Sequence, residues 1–139
     1  MNRKTIAILL QHAQDAIGMA YAPYSNFKVG AAVLANNGKI YSGANIENAS
    51  FGLSICAERV AVFKAITAGE KEIKAILVFT PTEVLTAPCG ACLQVINEFS
   101  KNPIIILACP KKTKKFYLKQ LLPSGFKFTK RTNRAAPDH

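Results

Sequence analysis

Three of the four cysteines stand in two short stretches, Cys56-Ala57-Glu58-Arg59 and Pro88-Cys89-Gly90-Ala91-Cys92, with a carboxylate beside the first. Cys89 and Cys92 are three apart at the start of a helical pattern, which puts both side chains on one face, a turn apart. Cys56 opens a second helical pattern. The positive end of a helix favours the thiolate form, and three converging thiolates suit zinc. That ion binds thiolate at about 2.3 Å, takes four ligands, and is catalytic when one position is left to water. Neither histidine offers a fourth ligand: His12 lies among polar residues of the first helical stretch, and His139 is the last residue. Cys109 closes an apolar strand pattern and reads as a small buried residue.

Three thiolates outweigh the charge of one divalent ion, so such a site needs a compensating cation. Arg59 is the candidate, donating to the sulfurs from outside the ligand set; a solvated helix residue is the other reading. Glu58, two positions from a ligand, could bind zinc itself or could instead take a proton from an attacking water and pass it on. Two other chemistries compete for the cysteines. A Cys-x-x-Cys after a strand is also how redox dithiols are built, although a dithiol has no need of the third cysteine and its Ala-Glu. A structural zinc site is the second, but it usually shows four ligands.

These residues need a scaffold, and 139 residues suffice for one domain with a real core. Half the chain is hydrophobic and 19% is charged, a globular balance that argues against disorder. No apolar run approaches the roughly 20 residues of a membrane span. The opening MNRKTIAILLQHAQ is broken by polar residues and reads as an amphipathic helix rather than a signal peptide. A cytoplasmic protein is the expectation, and cysteines in a reducing compartment are metal ligands or reactive thiols more often than disulfides. The net charge of +10 is uneven. Residues 1–100 carry eight Lys and Arg against seven Asp and Glu, and residues 101–139 carry ten against one. The basic end reads as a solvated turn at 111–115 plus a loose tail. No interleaving of aromatic and basic residues suggests a base-stacking platform.

Apolar residues recur at helical spacing over 3–20. Pro23, Ser25 and Asn26 break that helix. Two strand patterns, 27–35 and 39–47, flank Asn36-Asn37-Gly38, a hairpin signal. A helix over 56–68 stops before Gly69. A buried strand over 75–80, a helix over 89–100 and a buried strand over 104–109 follow. Residues 116–118 suggest a last strand, ahead of a short helical turn. Short apolar strands joined by helices imply right-handed crossovers. The expected fold is a three-layer α/β/α sandwich with a central mixed five-stranded sheet, a single domain over 1–128, and a flexible basic tail over 129–139.

The stretches YAPYSNFKVGAAVL, GANIENASFGLSICAERVAVFKA, PCGACLQV and LLPSGF, in order from residue 21 to 126, each resemble a segment of the small homotetrameric cytidine deaminases. The cysteine pattern is similar to the zinc-deaminase signature H-x-E … P-C-x-x-C, in which three cysteines are allowed. The resemblance implies that Cys56, Cys89 and Cys92 bind one Zn2+ per subunit. It implies that Glu58 moves a proton from the attacking water to ring N3 and then helps ammonia leave C4. The Ala57 backbone would contact the pyrimidine edge, Asn45 and Glu47 would hold ribose hydroxyls, and Phe27 would pack against the base. Phe126 would reach into a neighbouring subunit's pocket, which implies a homotetramer with shared sites.

Asn45 and Glu47 also carry a reading of their own: two apart in an extended strand, they share a face, with Ile46 turned into the core. The chain departs from the family at Leu93, where relatives commonly have Arg, and at Phe51, where many have Tyr. The implied activity is hydrolytic deamination of free cytidine and 2′-deoxycytidine in pyrimidine salvage. The alternative is a modified or antibiotic cytosine nucleoside as substrate. Cytosine in single-stranded nucleic acid is disfavoured by Cys in the first ligand slot and by the absence of an insertion to build a strand-binding groove. A non-catalytic zinc or redox module would tolerate Glu58→Gln.

Overall fold

The computed structural model describes residues 1–129 and 134–135. Helix α1 (Arg3–Ala16) begins at Asn2, whose side chain accepts a hydrogen bond from the Thr5 N–H, and a short 3-10 turn (Ile17–Met19) extends it. Strands β1 (Gly30–Ala35) and β2 (Ile40–Ala44) form the expected hairpin, with Gly38 at φ +92° in the turn. Helix α2 (Ala57–Thr67) ends at Gly69, whose φ of +101° suits the position after a helix C-cap. Then come β3 (Ile73–Phe79), α3 (Gly90–Glu98), β4 (Ile104–Cys109), β5 (Lys112–Tyr117) and α4 (Leu118–Leu121). Phe128–Thr129 pairs antiparallel with Arg134–Ala135; the remainder of the basic tail lies outside the described residues.

The sheet order is β2-β1-β3-β4-β5, mixed, with β3 and β4 the parallel pair. A parallel pair requires a crossover, and α3 supplies it. Strand β1 is buried along its whole length, because the sheet is covered on both sides. Ala31 and Val33 face the layer of α2 and α3, with Ile76, Val78, Ile105 and Leu107. Ala32 and Leu34 face α1, with Leu77, Phe79 and Ile106. The three-layer sandwich is therefore as expected. Gly30 allows α1 to lie close on the sheet, since a Cβ there would sit 2.0 Å from the Ala13 carbonyl oxygen.

One expectation is corrected. Of residues 111–115 only Lys111 lies in a turn: residues 112–117 form the edge strand β5, paired antiparallel with β4, and Leu118 opens α4 instead of ending the strand. The strand bears lysines on both faces because, apart from Phe116, which packs against the core, it is exposed to solvent, and charged side chains on an edge discourage pairing with another sheet. Among the described residues no helix is long and apolar enough to cross a membrane.

Candidate active site

Cys56 and Cys89 are the N-cap residues of α2 and α3. Both have extended backbone, and neither side chain caps its own helix, so both sulfurs are free to turn outward. Cys92 follows Cys89 by one turn and is fully buried. The helices pack against each other, which brings the three sulfurs within 4.8 Å of one another. Cys89 lies 3.9 Å from Cys56 and 3.5 Å from Cys92, sulfur to sulfur. A tetrahedron of thiolates at about 2.3 Å from a central zinc has an edge of about 3.8 Å, so the three donors fit such an ion. Cys109 is buried elsewhere, with its sulfur 3.9 Å from the Glu83 carbonyl oxygen.

The cluster's electrostatics follow from its partners. Cys56 is pulled down to about 5, chiefly by the hydrogen bond with Cys92 and further by Arg59 and Cys89. The Arg59 guanidinium donates to the Cys56 sulfur at 3.6 Å, as a compensating cation should. Cys92 is pushed up as a thiol by its bond to Cys56 and by burial. Glu58, only 5% exposed, sits in the first turn of α2. Burial, with the neighbouring Cys56 charge, raises its carboxyl to about 7. A carboxyl poised near neutrality can both take up and give back a proton. Leu93, where a cation would be expected from relatives, is buried in the core with Ile96 and Val62.

The remaining candidates surround a second framework. A bridge between Ile46 and Ile55 brings the Asn45–Glu47 segment alongside the approach to Cys56, and Tyr21 pairs on its other side. Asn45 is buried; its Oδ1 accepts from the Val29 N–H at 2.9 Å and its Nδ2 donates to the Phe27 carbonyl at 2.8 Å. Glu47 accepts from the N–H groups of Tyr24 and Ser25 and from the Ser25 hydroxyl. These bonds, the hydroxyl's first, hold its carboxyl below the usual range. The same Ser25 oxygen accepts from the Phe27 N–H at 2.9 Å, so Phe27 is fixed through both its amide and its carbonyl. Tyr24, Ser25, Glu47, Phe51 and Ser54 line a cavity of about 300 Å³.

Ile46 does not turn into the core. It is 49% exposed and lines a surface groove with Leu53, Val60 and Phe63, because its segment has left the main sheet and has α2's outer side beneath it. Phe126 is 55% exposed, and its backbone is held by Gln94 and Asn97. Ser25 was read from the sequence only as part of a helix-breaking turn and Gln94 not at all, and their ties are visible only once the segments they join are folded together.

Residues 3–108 match the model of the cytidine and deoxycytidylate deaminase zinc-binding region. The chain belongs to this family. A cytidine deaminase of Sporosarcina psychrophila is 42% identical over 120 residues, covering 85% of this chain and 88% of that one. The crystal structure of cytidine deaminase from Burkholderia pseudomallei superposes with a TM-score of 0.83 at 43% identity, covering 91% of this chain and all of the other. That of Mycobacterium tuberculosis gives 0.76 at 33% identity, covering 88% and 98%. Zinc is thus the family's metal, and the three-sulfur cluster is where this chain offers ligands for it.

Proposed function

We propose that this protein catalyses the hydrolytic deamination of cytidine and 2′-deoxycytidine to uridine and 2′-deoxyuridine with release of ammonia, in the cytoplasm, as part of pyrimidine salvage. The observation that carries this reading is the meeting of three sulfurs at two helix N-termini beside a buried, near-neutral Glu58, in a chain from this family. Cys56, Cys89 and Cys92 would hold zinc, which supplies an electrophilic centre that acidifies water. Arg59 balances the sulfurs' charge.

Glu58 receives the proton of the attacking water and delivers it to ring N3. Oxygen bonds to C4; Glu58 then takes the remaining proton from that oxygen and passes it to the amino group, and the C4–N bond breaks to leave the C4 carbonyl and free ammonia. The Ala57 backbone, at the head of α2, meets the pyrimidine edge. Phe27, held through its N–H and its carbonyl, packs on the base. Asn45 and Glu47 retain hydrogen-bonding capacity beyond their internal bonds and take the ribose hydroxyls, Glu47 from the wall of the cavity of about 300 Å³. The retained amide and carboxylate favour an ordinary ribose over a modified one.

A homotetramer with shared sites is part of this reading. It is supported by the open apolar groove of about 430 Å³ around Ile46, Leu53 and Phe63 and by the exposed rings of Phe51 and Phe126. Residues 1–128 form its single domain, with the basic residues 129–139 appended. The test is an ultraviolet assay of purified protein with cytidine. Conversion to uridine that a zinc chelator abolishes is expected; zinc-loaded protein without turnover refutes the reading.

A further inference from the structure

We infer that Gln94 is a positioning residue for Phe126, so that the helix bearing Cys89 and Cys92 also sets where that aromatic ring is presented. The inference rests on the reading above that Phe126 contributes to a nucleoside pocket.

The Phe126 ring is largely exposed, so core packing does not fix it and its backbone must. Gln94 binds that backbone with both ends of its amide. Its Nε2 donates to the Phe126 carbonyl at 2.8 Å, and its Oε1 accepts from the Phe126 N–H at 3.1 Å. This reciprocal pair reproduces with one side chain the two bonds that hydrogen-bonded residues exchange in an antiparallel ladder. Asn97, one turn further along the same face of α3, donates to the same carbonyl at 3.2 Å. The approach is close enough that a Cβ on Gly125 would lie 2.6 Å from Asn97 Nδ2. Lys127 donates to the Ser100 carbonyl at 3.1 Å just beyond the helix.

The anchor for this clamp is rigid. Leu93 and Ile96, flanking Gln94 on α3, are buried in the core. Gln94 follows Cys92 by two residues, and among the described residues its side-chain hydrogen bonds go only to Phe126. It therefore acts on the segment carrying the ring and not on the sulfurs.

The test compares Gln94→Met, Phe126→Ala and the double variant with the zinc-loaded wild type. Methionine keeps the length of the side chain and removes both bonds. In Gln94→Met, hydrogen exchange at the Phe126 amide should accelerate about tenfold or more as the bond to Oε1 is lost. KM for cytidine should rise about tenfold with kcat within about twofold. Zinc content should be unchanged. The double variant should be no weaker than Phe126→Ala, since a residue acting only through another adds nothing once that one is gone. Unaltered exchange at Phe126 overturns the clamp. Faster exchange with unaltered KM, or additive losses in the double variant, overturns the positioning role. If the wild type turns over cytidine but Phe126→Ala keeps its KM, the deaminase reading survives and this inference falls.

Discussion

The Arg59 guanidinium donates to the Cys56 sulfur at 3.6 Å from one turn along the helix that Cys56 caps. The arrangement puts a permanent cation against a thiol whose pKa is depressed, and the bond in turn pushes the guanidinium's own affinity for its proton higher. Its Nε is buried without a hydrogen-bond partner among the described residues, so packing as well as charge holds the side chain. Groups that support metal ligands from outside typically change affinity by about 10–100-fold when removed. Arg59→Ala should weaken zinc binding by that order. Arg59→Lys should fall between, because an ammonium keeps the charge but not the planar fork. Competition with a chromophoric chelator measures this, and equal affinities in all three proteins would remove Arg59 from the site.

Glu58 links the chemistry to pH. Its carboxyl is raised from 4.5 to about 7 by burial, so the fold favours the protonated form. The contribution to stability is therefore full below about pH 4.5 and is lost as pH rises through about 7. The loss is on the order of 3 kcal/mol, at about 1.4 kcal/mol per pKa unit. Cys56, depressed to about 5, changes in the opposite sense: its contribution is present above the ordinary thiol pKa and is lost as pH falls through 5. The difference between wild type and Glu58→Gln largely cancels that second effect. In chelator-treated protein, denaturant unfolding should show Glu58→Gln gaining on the wild type as pH goes from 5 to 8. A pH-independent difference would mean that Glu58 is not buried as described. In zinc-loaded protein, Glu58→Gln should keep its metal and lose kcat by several orders of magnitude.

The sheet and the sulfur cluster were legible in the sequence for definite reasons. Residues 75–79 of β3 and the whole of β4 are continuous apolar runs, and such runs need cover on both faces. The cysteine spacings place sulfurs at helix starts, where geometry follows from the helix itself. Strand β5 was misread because an edge strand anchored to the core only by Phe116 has no apolar alternation to reveal it, and five lysines in the stretch from 111 to 119 look like a turn. Ile46 was misplaced for a related reason. Alternation along an extended segment tells which residues share a face, but not which face the rest of the fold covers. Ser25 and Gln94 are polar residues whose partners lie 22 and 32 positions away, and no local pattern announces such ties.

Ser25 connects two proposed substrate contacts through one oxygen, accepting from Phe27 and donating to Glu47. In Ser25→Ala the Phe27 N–H loses its partner and the Glu47 carboxyl loses the bond that most lowers its pKa. Both changes disturb binding and leave the sulfurs and Glu58 untouched. KM for cytidine should rise about tenfold, with kcat changed by less than about threefold. Steady-state kinetics decide: a fall in kcat at constant KM would place Ser25 in the chemistry, against this geometry.

Cys109 tests the ligand count itself. Four thiols invite a closed four-sulfur site, which would leave no position for water. Yet Cys109 ends β4 beneath the 80–89 loop, 4% exposed, with its sulfur on the Glu83 carbonyl and outside the three-sulfur group. Cys109→Ala removes one weak hydrogen bond and little volume, so it should cost about 1 kcal/mol of stability and leave one zinc per chain. Cys92→Ala removes a buried ligand and should abolish stoichiometric zinc, with the loss of folding energy that the bound ion supplies. Elemental analysis of both variants after dialysis reads the outcome directly. Zinc lost from Cys109→Ala would mean that the fourth thiol closes the site, and the open position that the proposed reaction requires would be gone.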